Sequence, residues 1–155
     1  MILQSDANSL ELRILGYQFP KNSSAKYDSN WLVIGCRVDA EGQAWTFQDP
    51  CLLTWEVGAL IEHLEALASG ATTRRSLGFT EPNLEFVSCS PSDLRVLFSL
   101  EASPPWLHDE PVQDCAFFID FAVSPGQLLE AGASLRRQLD KFPARAGQHV
   151  FKGQV

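Results

Sequence analysis

The chain has 155 residues, of which 45% are hydrophobic, and it carries a formal net charge of −7. This length and composition suffice for one folded domain with its own core, and they exclude a disordered chain. The negative balance argues against sequence-independent binding to nucleic acid or to an anionic membrane, because both require clustered Lys and Arg.

The first part of the chain shows the period-two alternation of half-buried strands. Apolar and polar residues alternate from Leu10 to Ile14, which predicts a first strand. A second strand is predicted over 30–38 and a third over 44–47, joined by a hairpin turn that ends at Gly42. Pro50 has no N–H to donate to a ladder, so we expect it to end the third strand.

The longest helical pattern follows over residues 54–69, with apolar side chains on one stripe at 3.6-residue spacing. Thr54 is the predicted N-cap and Gly70 the predicted C-terminal stop. The opposite side, here called the Trp55 side, is less polar than a solvated face and indicates that something packs there. It carries Trp55, Ala59 and Ala66.

A second run of short strands is predicted between Leu77 and Leu100, separated by turns at Pro82 and Pro91. A proline-rich, acidic loop follows over 103–113. The next apolar alternation predicts another strand over 116–123.

Ser124 and Pro125 are typical of a helix start, with serine as N-cap and proline at the first helical position. Pro143 stops the pattern, which gives a second helix over about 125–142. Residues 1–143 are therefore predicted as a single domain, and residues 144–155 as a loose C-terminal tail.

Strands joined by short hairpins pair antiparallel, because a parallel crossover needs a dozen or more residues. The predicted fold class is therefore α+β. We expect an antiparallel sheet or sandwich of six to eight strands with two helices, about 54–69 and 125–142.

No catalytic pattern is apparent in the sequence. The nucleophile elbow G-x-S-x-G and the phosphate-cradling G-x-x-x-x-G-K-[ST] are both absent. His108, Asp109 and Glu110 are chemically suited to a metal, but adjacent residues in a loop seldom point at one ion. We therefore predict a protein that is not an enzyme and that has no metal and no cofactor.

The charge is distributed unevenly. Residues 131–155 hold five basic side chains and one acidic side chain, a balance of +4, which leaves −11 for residues 1–130. An acidic body favours a basic protein partner. Acidity that only keeps a cytosolic protein in solution is the alternative.

Trp106 follows two prolines in the acidic loop, and a tryptophan among carboxylates is typical of a binding hot spot. Packing over a sheet edge is the alternative. The predicted partner-binding residues are Glu56, Glu62 and Glu65 on the first helix, and Trp106, Asp109 and Glu110 in the loop.

The start of the chain has no basic region followed by an apolar stretch, so we expect no signal peptide. No apolar run approaches the roughly 20 residues of a membrane span. The four cysteines lie far apart, without a C-x-x-C pair, which favours reduced thiols. We expect a cytoplasmic protein that does not bind membranes.

Six short motifs occur in order along most of the chain: Glu11–Phe19, Tyr27–Leu32, Asp49–Glu56, Phe79–Leu84, Pro104–Trp106 and Val123–Pro125. Together they resemble the WapI family of bacterial immunity proteins, over about residues 10–142. The resemblance implies a non-catalytic binding protein that neutralises a secreted nuclease toxin. It supplies no agreed set of toxin-contacting residues.

Two other readings remain open. One is a small enzyme or ligand-binding domain with a pocket between the sheet and the first helix, which converging carboxylates would reveal. The other is a structural homodimer that forms through the Trp55 side.

Overall fold

The computed structural model describes residues 1–21, 25–71, 74–108 and 117–145. Within these residues, eight strands form two antiparallel four-stranded sheets, accompanied by two helices. Each sheet is a meander in which every strand pairs with its neighbour along the chain. The predicted α+β class is confirmed.

The first sheet has the order β1–β2–β3–β4. The alternation from Leu10 to Ile14 buries one face of β2, as predicted. β1 was not predicted, because four residues are too few to show a periodic pattern. The strands are β1 (Ile2–Ser5), β2 (Asn8–Tyr17), β3 (Trp31–Ala40) and β4 (Gln43–Leu53).

A two-residue turn joins β3 to β4. Glu41 and Gly42 have φ angles of 52° and 80°. Two consecutive positive φ angles are typical of a type I′ turn, whose twist matches that of the flanking strands. The predicted hairpin turn is confirmed.

β4 continues through Pro50 to Leu53, so the prediction that this proline ends the strand is wrong. The register between β3 and β4 shifts between Leu32 and Ile34, where β4 has one residue more than β3. Pro50 therefore lies beside a bulge, and β4 is an edge strand of its sheet. Proline is tolerated at both kinds of position because no ladder hydrogen bond is lost there.

The first helix, α1, covers Thr54–Ser69 and follows β4 without a loop. The prediction of Thr54 as N-cap is wrong by one residue, because Leu53 has the extended backbone of the cap. The hydroxyl of Thr54 instead donates to Oδ1 of Asn30 at 3.0 Å. The helix ends at Gly70, which has a φ of 68°, as predicted.

The second sheet has the order β5–β6–β7–β8 and buries the large aromatic side chains Phe86, Phe98 and Phe121. Two short 3-10 turns, Leu100–Ala102 and Pro105–Leu107, follow β7. The strands are β5 (Ser76–Gly78), β6 (Leu84–Ser90), β7 (Asp93–Phe98) and β8 (Phe117–Ala122).

The second helix, α2, covers Pro125–Leu139. The predicted cap is confirmed, since Oγ of Ser124 accepts a hydrogen bond from the backbone N–H of Gln127 at 3.2 Å. The helix ends three residues before the predicted position. Phe142 lies beyond it and packs edge-to-face on Tyr17, with ring centroids 5.5 Å apart.

The buried faces of both sheets and both helices form one continuous core. Trp45 of β4 connects the sheets, because its ring packs edge-to-face on Phe98 of β7 and Phe117 of β8. The helices pack against each other, and α2 also contacts β1 and β2. The described residues therefore fold around a single core.

Arg145, inside the predicted tail, is fixed to the domain. Its N–H donates to Oδ1 of Asn30 at 2.8 Å, and its carbonyl accepts from Nδ2 of the same side chain at 2.8 Å. Its guanidinium lies over the ring of Tyr17, 3.3 Å from the centroid. The rest of the predicted tail, 146–155, lies outside the described residues.

Candidate partner-binding surface

Glu56 lies inside the protein, although it was predicted to contact a partner. Its side chain is only 9% exposed. Oε2 accepts from the N–H of Leu53 at 2.9 Å, and Oε1 accepts from the N–H and hydroxyl of Thr80, both at 2.7 Å. Oε2 therefore caps the start of α1, and Oε1 connects it to the segment between β5 and β6, so Glu56 is not part of the exposed candidate surface.

Glu62 and Glu65 lie on the accessible part of α1, near α2. Glu65 pairs with Arg136 of α2 at 2.7 Å, and Glu62 also lies within electrostatic range of that arginine. The hydrogen bond that Arg136 donates to Glu65, and next the charge of Glu65, raise the pKa of Arg136, and the charges of Asp140 and Glu62 add to this effect. The charge of these predicted residues is therefore partly balanced within the chain.

Trp106 lies in the second 3-10 turn and is 41% exposed. Its indole packs edge-to-face with that of Trp45, with ring centroids 5.5 Å apart. Trp45 is itself buried, and its indole N–H donates to the carbonyl of Ala102 at 3.0 Å. Trp106 therefore packs on the buried Trp45 and also stays partly exposed to solvent, and its role as a binding hot spot remains a prediction.

The segment from Leu100 to Leu107 exposes three large apolar side chains. Leu100 is 55% exposed, Trp106 41% and Leu107 37%. We call these three residues the Trp106 patch. Leu100 also has a φ of 53°, in the left-handed region that costs a side chain other than glycine roughly 1–2 kcal/mol. Strain of this kind concentrates at functional sites.

Three carboxylates, here called the acidic group, meet beside the Trp106 patch. Nδ2 of Asn83, a residue 1% exposed, donates to Asp49 Oδ2 at 3.4 Å and to Glu101 Oε2 at 3.1 Å. Partial burial, and next the charges of Glu101 and Glu81, raise the pKa of Asp49. No ion pair with a described Lys or Arg neutralises any of the three carboxylates.

Local sequence patterns could not reveal the acidic group, since its members belong to separate elements. Asp49 is on β4, Glu81 lies between β5 and β6, and Glu101 is in the first 3-10 turn. The packing of the first sheet against segments of the second brings them together, through the side chain of Asn83. The predicted residues Asp109 and Glu110 lie outside the described residues.

Trp55 packs mainly against its own chain. Its ring meets Tyr27 edge-to-face at 5.5 Å, and Nζ of Lys26 lies 5.3 Å from its centroid. Its remaining exposure is 38%, and Ala59, one turn further along α1, packs partly against the core. Tyr27 and Lys26 of the same chain therefore already pack on the Trp55 side near the start of the helix.

A pocket of about 340 Å³ lies between the first two strands and α2. It differs in position from the pocket between the sheet and the first helix that an enzyme or ligand-binding domain was expected to have. Its polar lining combines Glu11, Arg13 and Lys141 with Gln138, whose side chain accepts from the N–H of Ile14 at 2.8 Å. An acid–base site would need carboxylates that converge in a desolvated pocket. This pocket is open to solvent, and its lining has one carboxylate beside two basic side chains.

The residues that the structure describes contain neither a metal-binding cluster nor a membrane-spanning helix. Within them, no group of three or more His, Cys, Asp or Glu is arranged to hold a metal ion. None of the described helices is long and apolar enough to cross a membrane.

Comparisons with known proteins give one match. The model of the Immunity protein WapI-like family matches residues 1–143. Searches of curated proteins and of solved structures found no match.

Proposed function

This chain belongs to the WapI-like immunity protein family, and on that premise we propose that it neutralises a nuclease-type toxin by covering the toxin's basic surface with an acidic one. The family implies binding to a cognate toxin. The match over residues 1–143 carries the proposal, because it spans both sheets and both helices. Neutralisation by occlusion requires a complementary surface and no catalysis.

The charge of the chain supports a nuclease as the target. An enzyme that cleaves nucleic acid must present Lys and Arg to phosphates. A protein with a net charge of −7, and −11 over residues 1–130, is attracted to such a surface. Complementary charge accelerates encounter, and like charge rejects the wrong partners.

Two surfaces are candidates for the contact with the toxin. One is the exposed part of α1 with Glu62 and Glu65. The other is the segment that carries Trp106, together with the predicted residues Asp109 and Glu110. We propose that binding takes place in the cytoplasm, where a nuclease toxin would meet its substrate.

The experiment uses the C-terminal domain of the large secreted protein that we expect to be encoded directly upstream of this chain. The domain is expressed from an inducible promoter in a test bacterium, alone or together with the chain. Alone, it should arrest growth and degrade RNA. With the chain, growth and RNA should be preserved, and the two proteins should co-purify.

An unrelated acidic protein of similar charge serves as the control and should not protect. Growth arrest that persists with the full chain present, together with a lack of co-purification, would contradict the proposal. Protection by the unrelated acidic protein would contradict a specific interaction.

A further inference from the structure

We propose that the Trp106 patch and the adjoining acidic group form the docking site for the toxin, and that the occupant is an apolar surface bordered by Arg or Lys. This inference rests on the proposed function and identifies the surface that contacts the toxin. Of the two candidate surfaces, it is the segment that carries Trp106 and not the exposed part of α1.

The apolar part of the site has the composition of an interface centre. Leu100, Trp106 and Leu107 together expose a large amount of apolar surface within eight residues. Binding energy at interfaces concentrates in a few residues, and tryptophan is one of the enriched types, whereas the two leucines add apolar area around it. An exposed leucine in the left-handed region is costly in the free protein, so a role in binding gives a reason for its presence.

The patch is also held in place before any partner arrives. Trp106 rests on Trp45, which is buried between the sheets and bonded to the backbone of Ala102. The hydroxyl and N–H of Ser103 both donate to the carbonyl of Leu100, at 2.6 and 3.0 Å. A preorganised anchor loses less conformational entropy on binding.

Charge complementarity determines the kind of partner. Glu101 follows Leu100 directly and belongs to the acidic group, none of whose carboxylates forms an ion pair with a described Lys or Arg. At two other exposed aromatic side chains a cation lies over the ring, Lys26 over Trp55 and Arg95 over Phe118, so a basic partner would meet a positive charge there. Glu65 on α1 already forms an ion pair with Arg136 of α2.

The test measures binding of purified variants to the upstream-encoded toxin domain, isolated from the co-purified complex under denaturing conditions and refolded. Leu100→Gly removes the exposed side chain and relieves the positive φ, so its melting temperature should stay the same or rise. Its affinity for the toxin domain should nevertheless fall, by at least about tenfold for an anchor residue. Trp106→Ala should also weaken binding.

Charge is tested with a matched pair of reversals. Glu81→Lys lies in the acidic group, and Glu62→Lys makes the same change at an exposed position on α1. We expect Glu81→Lys to slow association strongly and Glu62→Lys to have little effect. The difference should shrink as salt rises above about 0.1 M, where the screening length is about 10 Å.

The outcomes separate the two proposals. If the wild-type chain binds and both Leu100→Gly and Glu81→Lys bind equally well, the docking site is wrong and the proposed function stands. A stronger effect of Glu62→Lys than of Glu81→Lys would likewise move the site to α1. If the wild-type chain itself neither binds nor protects, the proposed function fails, and the docking site fails with it.

Discussion

Glu56 and His63 are polar residues of α1 that lie inside the protein, at 9% and 5% exposure. Both oxygens of Glu56 have hydrogen-bond partners, whereas Nε2 of His63 has none among the described residues. Helical periodicity predicts where a side chain lies around its own helix. It does not predict which other elements cover that side, and for this reason Glu56 was assigned to the surface.

Glu56→Ala should lower the free energy of unfolding by about 2–3 kcal/mol, because it leaves the N–H groups of Leu53 and Thr80 without their charged acceptor. Glu56→Gln retains one acceptor oxygen and should cost less. Urea unfolding measures both. Glu62→Ala, on the exposed side of the same helix, should change stability by no more than about 0.5 kcal/mol. Equal effects at the two positions would contradict the assigned role of Glu56.

His63 should make stability depend on pH. Burial, and next the charge of Arg74, lower the pKa of this side chain in the folded protein. Below about pH 6.5, the pKa of an unperturbed histidine, the unfolded chain binds a proton that the folded protein does not. The free energy of unfolding should therefore be largest above that pH and fall as the pH drops toward the lowered pKa.

Urea unfolding between pH 7.5 and 5.5 measures this loss. His63→Leu has a similar volume and no titrating group, so its profile should be flatter over the same interval. The partly buried Asp49, whose pKa is raised, is present in both proteins and cancels in the comparison. Parallel profiles would show that His63 is not the group responsible.

The two ends of α1 are fixed by different kinds of interaction. Its C-terminal end is local: Gly70 takes a φ of 68°, and Ala71 donates to the carbonyl of Ala66 at 2.9 Å. Its N-terminal end has the local bond from Leu53 to Glu56, and it also depends on Asn30 and Thr80, which belong to other parts of the fold. This explains why the end was predicted correctly and the cap was not.

Gly70→Ala should destabilise the protein by about 1 kcal/mol, since a Cβ is unfavourable at positive φ. Gly58→Ala is the matched control within the same helix. An added Cβ at Gly58 meets nothing within 4 Å, so this change should stabilise by about 0.5–1 kcal/mol through helix propensity. Thermal melting compares the two, and a shift of the same sign would contradict this account.

Trp45 connects the two sheets of the molecule. It is a residue of the first sheet whose ring contacts Phe98 and Phe117 of the second. Trp106, the anchor of the proposed docking site, also rests on it. The stability of the fold and the geometry of the binding surface therefore depend on the same side chain.

The shared core predicts that the sheets unfold together. Far-ultraviolet circular dichroism and tryptophan fluorescence should give coincident urea transitions. Trp45→Ala should lower stability by about 3–5 kcal/mol, and Trp45→Phe by less, because it keeps most of the aromatic packing. Both variants should retain coincident transitions if they fold. Separate transitions in the wild type would show that the sheets are independent.

Features of the fold that depend on neighbours in the chain could be predicted from the sequence. Apolar alternation and short apolar runs predicted the strands of both meanders except β1, Ser124 and Pro125 predicted the start of α2, and Gly42 and Gly70 predicted a turn and a helix end. Hydrogen bonds and φ preferences within a few residues produce the turn, the helix start and the helix end, and the strands are indicated by the local alternation of apolar and polar side chains. The motifs likewise indicated the family, because they keep their order along the chain.

Tertiary structure alone decided where Pro50 lies, whether Glu56 is exposed, and which carboxylates share a surface. Pro50 remains in its strand because β4 is an edge strand beside a bulge. Glu56 is buried because Thr80, 24 residues away in the sequence, binds its carboxylate. The acidic group exists because three separate elements meet. Contacts between residues far apart in the chain decide these matters, and no local pattern in a sequence records such contacts.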